Sequence, residues 1–301
     1  MATAAEPLPA APASRAHDLG GELHRRRLIL AHVWVGIAAF AVACLLGVWQ
    51  MLARSPIDAP AHSAANYFRS VTLHGVSMAF VLTTFFIMGF GYFVAETALK
   101  RRVPGSGLAW FAFWMGLTGV LMTALAIISG NASVLYTSYP PLTATVWFYL
   151  GLVLVVVGSW IWCGLMIVAM RQWKAANPGA PVPLAMFATV ANTLLWLWTT
   201  VGVAAELLFQ VIPAALGFNE MVDVGLSRTL FSWTLHAIVY FWLFPSYIAF
   251  YTKGPRADGF IPTPWGGSPS SCSCSTRCRS GCIICSWTRS IATASSSCRC
   301  S

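Results

Sequence analysis

The stretch Leu226–Lys253, LSRTLFSWTLHAIVYFWLFPSYIAFYTK, decides how this chain is read. It is long and apolar enough to cross about 30 Å of hydrocarbon as a helix. Yet it carries polar groups that rarely face lipid. His236 and Tyr240 are four residues apart and share a helix face. Tyr247 and Tyr251, seven and eleven residues beyond Tyr240, stay near the same stripe. Polar groups on a membrane helix usually face a bundle interior or a water-filled path, so the stripe is expected to point into a bundle. The alternative is an aromatic stripe packed on neighbouring helices, with Tyr251 as an interfacial anchor. Pro245 removes one backbone donor and is expected to kink the helix.

The rest of the chain agrees with a membrane setting. Of its 301 residues 57% are hydrophobic and only 9% charged, far from a soluble average. Six apolar spans of crossing length are read at 28–53, 71–97, 107–130, 145–170, 184–213 and 228–252. Their connections are short and punctuated by Pro and Gly, as in VPGSG and NPGAPVP. The expected fold is an all-α integral membrane bundle, because helices satisfy their own backbone groups where lipid cannot. The net charge of +9 falls largely in short loops and in an unusual tail, so no nucleic-acid partner is inferred from it. Residues 1–27 are rich in Ala and Pro near their start and are expected to form a disordered tail. They lack the apolar core of a signal peptide, so the first span is expected to act as the insertion signal.

Orientation follows from the distribution of Lys and Arg. Arg25, Arg26 and Arg27 precede the first span, and Lys100, Arg101 and Arg102 separate the second from the third. Arg171 and Lys174 follow the fourth, and Lys253 and Arg256 follow the sixth. The opposite loops hold only Arg54, Arg69 and Arg228, with Asp58, Glu220 and Asp223. The N-terminus is therefore read as inside. Spans two, four and six then run from outside to inside.

Two more intramembrane groups stand out. His74 lies about one turn into span two, in VTLHGVSMAF. Both an inert hydrogen-bonded histidine and an axial haem ligand fit it, with Gly75 leaving room for a flat macrocycle. Glu206, in VAAELLFQ, is the only carboxylate deep in a late span. It is either a functional acid or a protonated group bonded to a neighbouring helix. Glu96 sits near the inner end of span two and reads as interfacial.

SWTLHAIVYFWLFPSYIAFYT resembles the copper-ligand helix of subunit I of the haem-copper oxygen reductases. TLHG in span two, VLYTSYPPL after span three and RQWKAANPG after span four agree with it. Together they are most similar to the B-type (ba-type) cytochrome oxidases, over about residues 28–253. The resemblance implies the N-terminal half of a bundle of 12–13 helices. It implies that His74 is a ligand of the low-spin haem and His236 the first histidine of the active-site copper. Tyr240 would be the catalytic tyrosine joined to that histidine. Tyr247 and Tyr251 would belong to the proton path, with Glu206 a further candidate. The family's T-G-H-P reads T-L-H-A here (Thr234, Leu235, His236 and Ala237), which keeps the ligand. The implied cofactors are low-spin and high-spin haem and copper. The implied partners are a subunit II with an electron-entry copper centre, cytochrome c or a similar donor, and membrane lipid. The implied location is the bacterial cytoplasmic membrane, and the implied activity is reduction of dioxygen to water coupled to proton translocation. A nitric oxide reductase-like relative, or a transporter or scaffold without metal, are the other readings.

The family's further copper and haem histidines should follow His236, but no histidine does. The other four (His17, His24, His32 and His62) are early. Residues 254–301 instead run into SSCSCSTRCRSGCIICSWTR, Ser270–Arg289, which holds five of nine cysteines. Shifting the reading register by one base turns Cys codons into Leu, Val or Met and Ser codons into apolar ones. Cys282-Ile283-Ile284-Cys285 then permits Leu-His-His-Leu, and Trp287-Thr288 becomes Asp. The tail is therefore read as an out-of-frame translation, with a frameshift between about Gly254 and Ser270. Zinc binding and a disulfide framework are the weaker readings, because Cys282 and Cys285 form the only close C-x₂-C pair and the Lys/Arg distribution puts this tail in the cytosol. As written, the chain is expected to be inactive.

Overall fold

The computed structural model describes residues 13–56, 63–135, 138, 142–219 and 221–253, with side chains for those between Arg26 and Tyr251. The chain divides into two units, 1–254 and 255–301, and the second lies outside the described residues. So do the cysteine-rich tail, His62, Glu220 and Tyr136 and Tyr139 of the YTSYPPL stretch, together with the side chains of His17 and His24.

Among the described residues, six helical spans are long and apolar enough to cross a membrane. The first is α1, Ala13–Arg54. The second joins α2, Ala64–Val76, through a π-helical turn, Ser77–Leu82, to α3, Thr83–Leu99. The third and fourth are α4, Ser106–Ile128, and α5, Val146–Ala176. The fifth joins α6, Leu184–Glu206, through a π-helical turn, Leu207–Val211, to the short α7, Ile212–Ala215. The sixth is α8, Val224–Lys253, which runs through Pro245 unbroken.

The boundaries have local causes. Ser63 caps α2, accepting the Asn66 amide at 3.2 Å, so the second span starts before the apolar run read from 71. Lys100 in the left-handed region ends α3, and Gly105, also left-handed, opens α4. Asp223 accepts the Leu226 amide at 3.0 Å and starts α8. At the other end of the chain, α1 reaches back to Ala13, into the stretch expected to be a disordered tail.

Consecutive spans pair. α1 lies on α3, α4 on α5, and α6 on α8, while α3, α5 and α6 tie the pairs together. Small residues set the closest approaches, as expected where dispersion rather than water expulsion drives packing. A Cβ at Gly119 of α4 would sit 3.0 Å from the Val155 amide nitrogen of α5. One at Gly151 of α5 would sit 2.9 Å from the Thr123 nitrogen. Leu45, Trp114 and Leu125 point out of the bundle, as side chains facing hydrocarbon do.

Candidate cofactor-ligand site

The two faces of α8 have separate jobs. Ser227, Phe231, Thr234, Ile238, Phe241 and Ile248 are buried. Their spacing of three, four and seven makes one stripe. That stripe packs on α6 and α3. Phe241 stacks on Trp196 of α6 with ring centroids 4.2 Å apart. The Thr234 hydroxyl donates to the Thr199 carbonyl at 2.9 Å and accepts the Val203 amide at 2.8 Å.

The opposite face carries His236, Tyr240, Tyr247 and Tyr251. Their rotations about the helix axis fall within about 60° of each other at 3.6 residues per turn. His236 is exposed, and Tyr240, Tyr247 and Tyr251 are 55%, 53% and 61% exposed. The His236 and Tyr240 rings lie edge to face with centroids 6.1 Å apart. The stripe was expected to point into a bundle. Within the described chain it points away from the helices on which α8 packs, because the Phe231–Ile248 stripe already occupies that side.

His74 is held differently. Its Nδ1 lies 2.8 Å from the Ala43 carbonyl of α1. A carbonyl only accepts, so Nδ1 carries the hydrogen and the lone pair stays on Nε2. A backbone carbonyl on one ring nitrogen is a usual way of orienting an imidazole that ligates metal through the other. Gly47 of α1 leaves the ring room, since a Cβ there would stand 3.4 Å from His74 Cε1. Three residues on from His74, the helix widens into the Ser77–Leu82 π turn, a feature frequent at functional sites. His74 therefore fits the role of an axial haem ligand on its donor chemistry.

Copper is a different case. Among the described residues no group of three His, Cys, Asp or Glu could hold a metal ion. His236 supplies one imidazole, which is short of a copper site. His74 is fastened to α1, whereas His236 stands on α8, whose packing partners are α6 and α3.

Glu206 ends α6 and is 1% exposed. Its Oε1 accepts the Ser227 hydroxyl of α8 at 2.5 Å. Ser227 escaped the reading of the sequence, although its place one turn before Phe231 on the buried stripe was a usable signal. His32 is an early histidine that the sequence does not mark out. It is fully buried among Phe85, Tyr92 and Phe113, with Nδ1 donating to the Leu28 carbonyl at 2.9 Å.

Residues 27–263 match the family model described as cytochrome c and quinol oxidase polypeptide I. Cytochrome c oxidase subunit 1 of Thermus thermophilus is 36% identical over 240 residues, which is 78% of this chain and 42% of that protein. A solved cryo-EM structure of a heme-copper terminal oxidase dimer matches with a TM-score of 0.72 and 40% identity, covering 75% of this chain and 39% of that one. The chain thus spans about two fifths of the length of these relatives. A shared helical bundle, a family match running through all six spans and an identity well above a fold-only likeness agree, and the chain belongs to the cytochrome c and quinol oxidase polypeptide I family.

Proposed function

We propose that this chain is the N-terminal part of the catalytic subunit I of a B-type terminal oxidase. The complete enzyme would reduce dioxygen to water with electrons from cytochrome c and couple this to proton translocation. In this reading residues 28–253 form the membrane domain, and residues 254–301 are an out-of-frame translation. The membrane is the bacterial cytoplasmic one, with the N-terminus inside. A subunit II with an electron-entry copper centre and a cytochrome c-like donor are the partners.

The observation that carries this reading is the His236–Tyr240 face of α8, left open while the other face is fully packed. A histidine and three tyrosines on one lipid-length helix call for further helices to cover them. The relatives' additional length is the natural source of those helices. His74 would hold the low-spin haem through Nε2, and His236 would be one of several copper ligands. When bound, the haem and copper would relay the donor's electrons and supply the oxygen-binding site. The chain's own residues position and feed them. Ala43 orients His74. Tyr240 stands one turn from His236, on the inner side in this orientation. Tyr247 and Tyr251 follow further inward, where protons taken up from inside would meet them first.

The test is expression of the gene with its register restored beyond the Gly254–Ser270 stretch. The purified product should contain haem and copper. A colourless, copper-free product overturns the reading. The 301-residue chain itself should show no oxygen uptake and no bis-histidine haem spectrum. A normal reduced-haem α band from it would contradict the proposal.

A further inference from the structure

We propose that Glu206 is a proton-exchanging carboxyl that trades its proton with the Lys/Arg-poor side of the membrane by way of the cavity one turn beyond it. Its use as a proton-release group rests on the oxidase reading, whereas its exchange with that side does not.

Pro213 shapes the backbone beyond Glu206. Proline lacks an N–H, and its ring crowds the carbonyl four residues earlier. The α-helical ladder therefore cannot continue unchanged through residues 209–213. The chain instead widens into the π turn Leu207–Val211, and Glu206 is the last residue before it. Beyond this turn lies a cavity of about 380 Å³, lined by Tyr149, Val211, Ala214, Asn219 and Val224, among others. Glu206 is one π turn before Val211, and its partner Ser227 is one α turn after Val224. The Glu206–Ser227 pair thus lies one turn beneath two residues that wall the cavity.

The carboxyl is asymmetric. Ser227 donates to Oε1. Oε2 is enclosed and has no hydrogen-bond partner among the described residues. A charged carboxylate enclosed with a single hydroxyl donor is costly in an apolar bundle. The group is therefore held neutral, with its proton on Oε2. Proton release passes H⁺ from Oε2 to a water that enters from the cavity past Val211 and Val224, and leaves a carboxylate held by Ser227; uptake is the reverse. The other ionisable side chains at this end of the packed elements are Tyr149 on α5 and Asp223 and Arg228 around the start of α8. Asp223 already accepts the Leu226 amide.

Infrared spectroscopy of the purified 301-residue chain in detergent tests this. Wild type should show a protonated-carboxyl C=O band that disappears in Glu206→Gln. In deuterium oxide the wild-type band should shift within minutes. Ser227→Ala should move it to higher frequency, because Oε1 loses its donor. Val224→Trp, which fills the cavity, should slow the deuterium shift several-fold. Absence of a band assignable to Glu206 means an ionised group and overturns the proposal. A band unmoved after hours in deuterium oxide means a sealed structural acid and does the same, as does an exchange rate unaffected by Val224→Trp. Haem and copper content of the register-restored protein decides the oxidase reading separately, so the two failures are distinct.

Discussion

Thr234 is inserted into the backbone of the neighbouring helix at Thr199. Its hydroxyl donates to the Thr199 carbonyl and accepts the Val203 amide, at 2.9 and 2.8 Å. Those two backbone groups are the acceptor and donor of one i→i−4 pair of α6. One side chain on α8 thus fastens two spans and bridges a helical ladder. Thr234→Val keeps the shape and removes both bonds, leaving the α6 groups to each other or to nothing. The expected cost is about 1–3 kcal/mol. A lower thermal midpoint of the detergent-purified chain is the expected result, and an unchanged midpoint would show the bridge to be dispensable.

The α4–α5 contact predicts a sharper loss. Gly119 and Gly151 bring the two backbones together, and a Cβ at either would press on backbone atoms. Backbone cannot rotate away as a long side chain can. Gly119→Val and Gly151→Val should therefore separate the helices and send the protein to the void volume in size-exclusion chromatography. Gly107→Val, where a Cβ would meet nothing within 4 Å, should elute as wild type.

Much of this architecture is legible in the sequence. Six apolar runs of crossing length stand in the sequence, and each became a helix span, because length and hydropathy alone govern insertion. Four features were not legible. The π turns at Ser77 and Leu207 leave no compositional mark beyond Pro213 near the second. The start of the second span at Ala64 depends on the Ser63 cap rather than on apolarity. The direction of the His236–Tyr251 stripe depended on which side of α8 found partners. Both faces are rich in aromatic residues, and only the packing of Thr234, Ile238 and Phe241 on α6 settles which one this chain buries. His74 could be picked out as an intramembrane histidine, but the Ala43 carbonyl that orients it is 31 residues away and carries no side-chain signal.

Room beside His74 is the next prediction. Gly47 faces the ring, and a Cβ there would make ordinary contact with His74 Cε1 at 3.4 Å. Gly47→Ala should therefore leave the imidazole in place, whereas the branched side chain of Gly47→Val should push it off the Ala43 carbonyl. In the register-restored protein the haem-to-protein ratio should hold in the first variant and fall in the second. Equal haem content in both would show that His74 is not confined by α1.

The last prediction concerns the open face of α8. Tyr247 is half exposed, whereas Ile248 beside it is buried. Tyr247→Phe removes only a hydroxyl from an open surface, so the midpoint of the 301-residue chain should move by less than about 0.5 kcal/mol equivalent. Ile248→Ala deletes buried methyl groups and should cost about 2–5 kcal/mol. The order reverses for function. If the His236–Tyr251 face carries protons inward of the metal, Tyr247→Phe should slow oxygen reduction by the register-restored enzyme while its haem and copper content stay at wild-type levels. A Tyr247→Phe enzyme with undiminished turnover would assign the stripe to helix packing against the rest of the subunit rather than to proton delivery.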